Sequence, residues 1–442
     1  MTDRPFKYSH TFTEQRTFIP LSKWRFTYTQ LLSPQKGDGD ITPFQALTTS
    51  MGSSLGTGSL VGVAMAIAAG GPGAVFWMVM TLLVSSIVKY AEGFLSTKYR
   101  TSNELGEKSG GPMYYIEQGL KEKNGGNWHW LASLFAIIGL LCSLSIGNMI
   151  QSHSVIQSLH FSSMVTTDIA GAIFTSMVAL IILGGVKSIG KITSHLIPIM
   201  GFIYISCTLL VLIKNAHALP SVVGLITSHA FTKAALSGGL IGTVVRYGIV
   251  HGALASEAGF GSSSIAHAAS TNDDPVVQGM INSIGVIIGP LLISVSTALV
   301  ILLSGLVKLD PISGGTYIQG HLTGAALTTM AFDSVLPQLG GNMVRIALLV
   351  FSITAMISWY YYGAKCLEYL VDVKSLHWYK WIWIGLCFTG TLFKLDSLWV
   401  LSGVLLSLMA IPNLIALLSL TPLIFAMTED YEHVSDSLKL LD

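Results

Sequence analysis

Charge is what this sequence has least of. Only 11% of its 442 residues are Asp, Glu, Lys or Arg, while 51% are hydrophobic. Soluble domains carry roughly 25% charged residues, and a water-soluble chain of this length needs them to cover its surface. The shortage excludes an ordinary soluble enzyme and leaves a chain whose apolar surface is covered by lipid. An excess of one sign is lacking too: Lys and Arg number 24, Asp and Glu 23, for a net charge of +1. No basic surplus points to nucleic acid. Cysteine is scarce, and Cys142, Cys207, Cys366 and Cys387 each lie inside an apolar run, which reads as packing and excludes a disulfide scaffold. Residues 1–40 are polar and hold no apolar stretch of the kind a cleavable signal needs. H-E-x-x-H, a Walker A loop and zinc-type Cys/His spacing are all missing. No catalytic constellation is visible, and neither an enzyme nor an organic cofactor is expected.

Long apolar runs are what the chain does have, with a mean hydropathy of +0.63. A helix needs about 20 apolar residues to cross a hydrocarbon core of roughly 30 Å. Ten runs qualify: 43–70, 73–97, 129–150, 166–186, 193–213, 235–256, 277–306, 342–370, 378–394 and 396–426. None alternates as a barrel strand would. With the N-terminus in the cytoplasm, 17 Lys and Arg fall on the inner side and 4 on the outer, with Lys89, Arg246 and Arg345 within or at the edge of runs. Cationic residues favour the cytoplasmic side. The pattern therefore supports ten spans in a cytoplasmic (inner) membrane with both termini inside.

Ten spans divide into two sets of five, and an odd number per half forces the halves into opposite orientations. Such inverted repeats place a binding site near the bilayer midplane, between discontinuous helices. The expected layout is a polar cytoplasmic segment over 1–40, a first repeat over 41–215, a second over 233–427 and a cytoplasmic tail over 428–442. The first span of each half should then be broken. Span 1 contains Gly52-Ser53-Ser54-Leu55-Gly56-Thr57-Gly58-Ser59. Span 6 opens with Gly238-Gly239-Leu240-Ile241-Gly242-Thr243 and carries Arg246 and His251. It runs into Glu257-Ala258-Gly259-Phe260-Gly261. Unwound backbone at membrane depth is tolerated where it lines a cavity or is buried in protein, and freed amides suit a carboxylate while freed carbonyls suit a cation. A run of small residues serves a close helix contact equally well. Arg246, His251 and Glu257 are intramembrane ionisable groups, hence coupling or gating candidates, or else internal pins between helices. Asn148 and Gln151 at the end of span 3 can cap the helix or bind a polar ligand. Hydroxyls on span 8, Ser352, Thr354 and Ser358, can complete a sodium shell or bond back to their own helix. His195 and His267 read as structural.

Several stretches resemble the alanine or glycine:cation symporter family of the amino acid–polyamine–cation superfamily. They are GDITPFQALTTSMGSSLGTGSLVGVAMAIAAGGPGAVFW from Gly39, KYAEGFLSTKYR at 89–100, GGPMYYIEQGL at 110–120 and IGNMIQSHSV at 146–155. The second half adds RYGIVHGALASEAGFGSSSIAHAAST at 246–271, PVVQG at 275–279, LTGAALTTMAF at 322–332 and WYYYGAKCLEYL at 359–370. The resemblance implies an all-α integral membrane protein of about ten helices in a five-plus-five inverted repeat, leucine-transporter-like. It implies uptake of small neutral amino acids driven by sodium or protons. It implies a substrate shell of Gly56, Thr57, Gly58, Ser59, Gln151, Thr243 and Trp359, and a cation site of Ser53, Ser54, Thr354 and Ser358 with span 1 carbonyls. The partners implied are a small amino acid and the lipid bilayer.

The chain departs from the family pattern in one direction. Ser59 replaces an Asn, Gly289-Pro290 an Asp-Thr pair, Ala355 a Thr, His251 an Arg and Ala364 a Glu. The polar N-terminal segment stands where the family has an extra membrane helix. Oxygen ligands are removed near the expected cation path, so the resemblance also admits proton coupling or exchange with His251 or Glu257 titrating, transport of a related solute such as serine, or a transport-inactive sensor.

Overall fold

The computed structural model describes residues 24–32, 37–159, 166–231, 240–309, 316–393 and 396–439. Residues 1–23, the Gly238-Gly239 opening of span 6 and the last three residues of the tail lie outside it. Among the described residues the chain is helical apart from two antiparallel hairpins, Thr101–Ser102 with Lys108–Ser109 and Val307–Leu309 with Thr316–Ile318.

The helices run as follows. A short α1 (Trp24–Leu32) precedes α2 (Pro43–Leu55), α3 (Thr57–Gly70) and α4 (Gly73–Lys98). Then come α5 (His129–Leu144), α6 (Ile150–Leu159), α7 (Thr167–Ile182), α8 (Gly185–Lys214) and α9 (Leu219–Ala230). The second half holds α10 (Leu240–Ser256), α11 (Ser262–Ala268), α12 (Pro275–Val286) and α13 (Leu292–Leu303). It closes with α14 (Gly324–Val335), α15 (Leu339–Leu370), α16 (Leu376–Leu392) and α17 (Asp396–Lys439). Wide turns at Ser145–Met149 and Ile287–Leu291 join α5 to α6 and α12 to α13 without a break.

Seven stretches among the described residues are long and apolar enough to cross a membrane: 43–70, 73–98, 129–156, 185–214, 275–303, 339–370 and 397–431. The other three expected spans correspond to shorter helices, α7, α10 and α16. Boundaries differ from the sequence reading in two places. α8 starts at Gly185 rather than near 193, and α17 continues through the expected tail as far as Lys439, carrying Pro412 and Pro422 within it.

Start signals are local. Thr42 caps α2 by accepting from the Gln45 amide at 3.2 Å while the Gln45 side chain accepts from the Thr42 amide at 3.0 Å, with Pro43 at the first helical position. Asp274 does the same service for α12, accepting from the amides of Val276 and Val277 ahead of Pro275. Packing is long-range. α4 lies along α12 and α10, and α15 threads between α5, α8 and α2. The buried side chains form two cores. One contains Phe94, Tyr115, Phe135 and Trp383, the other Leu60, Met78, Tyr204 and Phe351.

The two broken helices meet at one end of the molecule. The Asp40 and Ile41 amides both donate to Ala269 O, at 2.8 and 3.1 Å, and the Thr271 amide returns a bond to Ile41 O at 2.8 Å. Ile41 and Ser270 thus form a parallel bridge. Gly39 has no space for a side chain here, since a Cβ would lie 2.1 Å from Ser270 O. Arg100, at the end of α4, donates to Ala268 O and Ser270 O and pairs with Asp273. These bonds clasp the start of α2 to the end of α11.

Candidate functional site

Both interruptions sit where the glycine runs fall. α2 ends at Leu55 and α3 begins at Thr57 across Gly56, whose φ of −53° and ψ of −125° turn the chain out of the helix. A Cβ on Gly56 would lie 3.0 Å from the Ala355 methyl and 3.2 Å from Gln151 Oε1. No side chain caps the start of α3, so its first amides face the break with the positive end of a helix dipole behind them. The second break spans 257–261. Gly259 and Gly261 take positive φ, and so does Glu257 at 53°. A non-glycine residue held there costs of order 1–3 kcal/mol and marks a place where the surroundings over-determine the backbone.

Those surroundings are hydrogen bonds. Glu257 is buried, and its Oε2 accepts from Ser262 Oγ at 2.8 Å and Ser53 Oγ at 2.9 Å. Its Oε1 accepts from Trp359 Nε1 at 3.3 Å. Ser53 also donates to Ser50 O and accepts from Tyr362 Oη. One carboxylate thus ties together α2, the α10–α11 break and α15. A second carboxylate supports it from behind. Glu92 Oε1 accepts from the Gly259 and Gly261 amides at 2.9 and 3.1 Å and from Asn413 Nδ2 at 2.9 Å. Asn413 also donates to Gly259 O and accepts from Tyr115 Oη. Lys89 lies 3.8 Å from Glu92 and donates to Ser263. The freed amides of the second break are therefore already satisfied by the protein, whereas those of the first are not capped.

A cavity of about 160 Å³ opens beside Glu257. Ser53, Ser54, Gly58, Val61, Gly62 and Met65 line one side, His251, Leu254 and Phe260 another. Ile146, Gln151, Trp359, Trp399, Gly403 and Leu406 complete it. Met65 and Gly403, among the lining residues, are exposed and mark the mouth. Of the lining residues, Trp359, Phe260 and Leu406 belong to one core and Val61 packs against the other, so the cavity sits where the two cores meet.

The residues singled out from sequence divide as follows. Ser53, Ser54, Gly58, Gln151, Trp359, His251 and Glu257 are brought together around the cavity. Gly56 lies at the break behind them. Ser59 is buried and turned back, donating to Ser54 O at 3.3 Å. The side chain of Thr57 lies outside the described residues. Thr243 and Arg246 do not line the cavity: Thr243 stands on the outer part of α10 beside Gly70, and Arg246 is exposed. Thr354 bonds its own helix at Phe351 O, and Ser358 donates to Thr49 O of α2 at 2.8 Å. Asn148 donates to Trp383 O and so serves the interior of the scaffold.

The Gly289-Pro290 pair is packed over, while His251 lines the cavity. Met51 lies against Gly289, whose Cβ would be 2.9 Å from Met51 Cε. Pro290 borders a small void of about 10 Å³ shared with Lys89, Ser54 and Asn282, room for one water. Sequence reading overlooked Val61, Gly62, Met65, Trp399, Gly403 and Leu406. A helical period could have found them: 58, 61, 62 and 65 share a face, as do 399, 403 and 406.

Comparison with known proteins follows the geometry. The structure is similar to that of MhsT in complex with L-phenylalanine, with a TM-score of 0.53, 17% identity, and 84% of this chain and 87% of that chain covered. It is also similar to Mhp1, a nucleobase-cation-symport-1 family transporter in a closed conformation, with a TM-score of 0.51, 12% identity, and 91% and 81% covered. These likenesses establish the fold. In sequence, the chain is 37% identical over 400 residues to the sodium/alanine symporter AgcS of Methanococcus maripaludis, covering 90% of this chain and 86% of the relative. A profile of the sodium:alanine symporter family matches residues 8–440, and the chain belongs to that family.

Proposed function

We propose that the protein is a secondary active transporter that takes up a small neutral amino acid, alanine or glycine, together with one sodium ion, across a cytoplasmic membrane in which both termini face the cytoplasm. The observation that carries this reading is the charge at Glu257. Among the described residues, the charged side chains buried around the cavity are Lys89, Glu92 and Glu257. Lys89 and Glu92 pair with each other. Glu257 has hydroxyl and indole donors but no cationic partner within 4 Å among the described residues. Ionised, Glu257 would leave a net negative charge at membrane depth, which is costly and which one monovalent cation neutralises. Ser53 Oγ, Ser50 O and the Glu257 carboxylate are the hard oxygen donors such an ion takes. Thr354 and Ser358 hold backbone carbonyls instead.

The rest of the cavity suits a zwitterion. The uncapped start of α3 at Gly58 faces it and favours a carboxylate, and Gln151 stands beside the same break, against Gly56. An ammonium then falls on the carbonyl ends of α2 and α10. Volume supports a small substrate. A cavity of about 150 Å³ admits benzene, which has as many non-hydrogen atoms as alanine. Rocking of α2–α4 and α10–α13 against the scaffold would expose the site to each side in turn. The clasp at Asp40, Ala269 and Arg100 ties the two broken helices together on the side of α2 that follows the N-terminal segment. Each ligand shifts that equilibrium only by its differential affinity for the two states.

The test is uptake of labelled alanine and glycine into proteoliposomes with and without a sodium gradient. Uptake that needs sodium is the expected result. Uptake indifferent to sodium but driven by a pH gradient transfers the coupling to a proton on Glu257 or His251, which also lines the cavity. Binding without flux would make the protein a sensor and end the transport reading.

A further inference from the structure

We propose that Gly403, on the last helix, determines how long a side chain the transported amino acid can carry. The inference rests on the amino acid reading above and assigns a role to a helix outside the broken pair. Three glycines line the cavity: Gly58, Gly62 and Gly403. Two of them are glycine because span 6 presses on them. A Cβ on Gly58 would lie 3.2 Å from Leu254 O, and one on Gly62 would lie 3.3 Å from His251 Nδ1. A Cβ on Gly403 would meet nothing within 4 Å. Close packing does not demand glycine here: Gly403 is exposed, and a side chain on it would enter open space at the mouth of the cavity it lines.

The position of that space decides what fills it. Gly403 stands one turn from Trp399 and close to Leu406, and these residues share a face of α17. With Ile146 they make an apolar stretch of the cavity lining that runs up to Trp359, whose indole reaches Glu257. An amino acid whose charged ends sit on the breaks points its side chain at this stretch. Trp359 cannot yield, because its indole N–H is held by Glu257. Of the three glycines that line the cavity, Gly403 alone has open space where its Cβ would be, so a longer substrate side chain that reaches the mouth passes it. Adding atoms to the protein at this point removes the same volume from the substrate without disturbing a packed neighbour.

The experiment compares wild type with Gly403→Ala and Gly403→Leu in proteoliposomes. Labelled glycine uptake is competed by unlabelled glycine, alanine, serine, leucine and glutamine. A misplaced or missing methylene in an apolar pocket shifts discrimination on the order of ten- to two-hundred-fold. Gly403→Leu should raise the inhibition constants of leucine and glutamine relative to that of unlabelled glycine within that range, and Gly403→Ala by less. Gly385→Leu, at another open glycine outside the cavity, should leave the profile unchanged. The proposal is overturned if the ranking by length stays fixed in both variants, or if the inhibition constant of unlabelled glycine rises in step with those of the longer substrates. Should the leucine variant not purify as a folded protein, the alanine variant alone decides, and an unmoved ranking there overturns it. Absence of uptake of all five amino acids by wild type would sink the amino acid reading itself, a different failure.

Discussion

Replacing Glu257 with glutamine removes one charge and almost no volume. The amide oxygen can still accept from Trp359 Nε1. The amide nitrogen then faces Ser262 and Ser53, 2.8 and 2.9 Å from the present oxygen, and either hydroxyl can rotate to accept. The break should therefore survive, and thermal unfolding of the detergent-solubilised protein should shift little. The ion should not survive it. At 4 Å and an effective dielectric of 20, a carboxylate attracts a monovalent cation by about 4 kcal/mol. A factor of ten is about 1.4 kcal/mol, so the half-saturating sodium concentration should rise by up to about a thousandfold. The assay is alanine uptake against sodium concentration, wild type beside Glu257→Gln, with unfolding measured on the same samples. A variant that keeps its sodium requirement within about threefold would refute the reasoning, because the charge would then have no part in holding the ion.

Three further outcomes follow from the geometry. Glu92→Ala strips the acceptor from the Gly259 and Gly261 amides and from Asn413 and leaves Lys89 without its buried partner. Removing one member of such a pair costs about 3–5 kcal/mol, so the unfolding temperature should drop sharply even though Glu92 does not line the cavity. Arg100→Ala frees Ala268 O and Ser270 O and the Asp273 carboxylate, so the clasp should open more often, and a cysteine placed at Ser53 should react faster with a reagent added on the N-terminal side. Asp40 responds to pH. Burial raises its pKa above the usual 3.8, opposed by the Lys108 amide that it accepts from and by the charges of Lys365 and Lys187, and reinforced by Glu107. A raised carboxyl pKa means that its contribution to the clasp is full below the ordinary value and declines as pH rises through the raised one. Asp40→Asn, which still accepts from Lys108, should flatten that dependence in the same cysteine assay; an unchanged pH profile would exclude Asp40 as its source.

Part of this was legible in one dimension. The membrane class came from the shortage of charge, and both helix breaks from runs of glycine beside hydroxyls. The capping residues Thr42 and Asp274 act through neighbours three residues away, so local spacing revealed them. Glu257 and His251 stood out as ionisable groups at membrane depth, and both line the cavity. Arg246, picked on the same ground, is exposed, because depth along a helix says nothing about which face a residue occupies. Ser59, Thr354 and Ser358 showed the complementary limit. A hydroxyl on a membrane helix can hold an ion or a nearby carbonyl, and only the distance to Ser54 O, Phe351 O or Thr49 O decides between them. Glu92 was read merely as part of a matching motif. Its task of sealing the second break depends on Asn413, 321 residues further along the chain.

Composition and periodicity by themselves determined that this chain is a multi-pass membrane protein and where two of its helices break, because each of these follows from groups close together in sequence. Which carboxylate faces the cavity without a counter-ion, which break offers uncapped amides, and which lining glycine has open space beside it were decided only by tertiary structure, because burial and hydrogen-bond satisfaction are set by residues that folding alone makes neighbours.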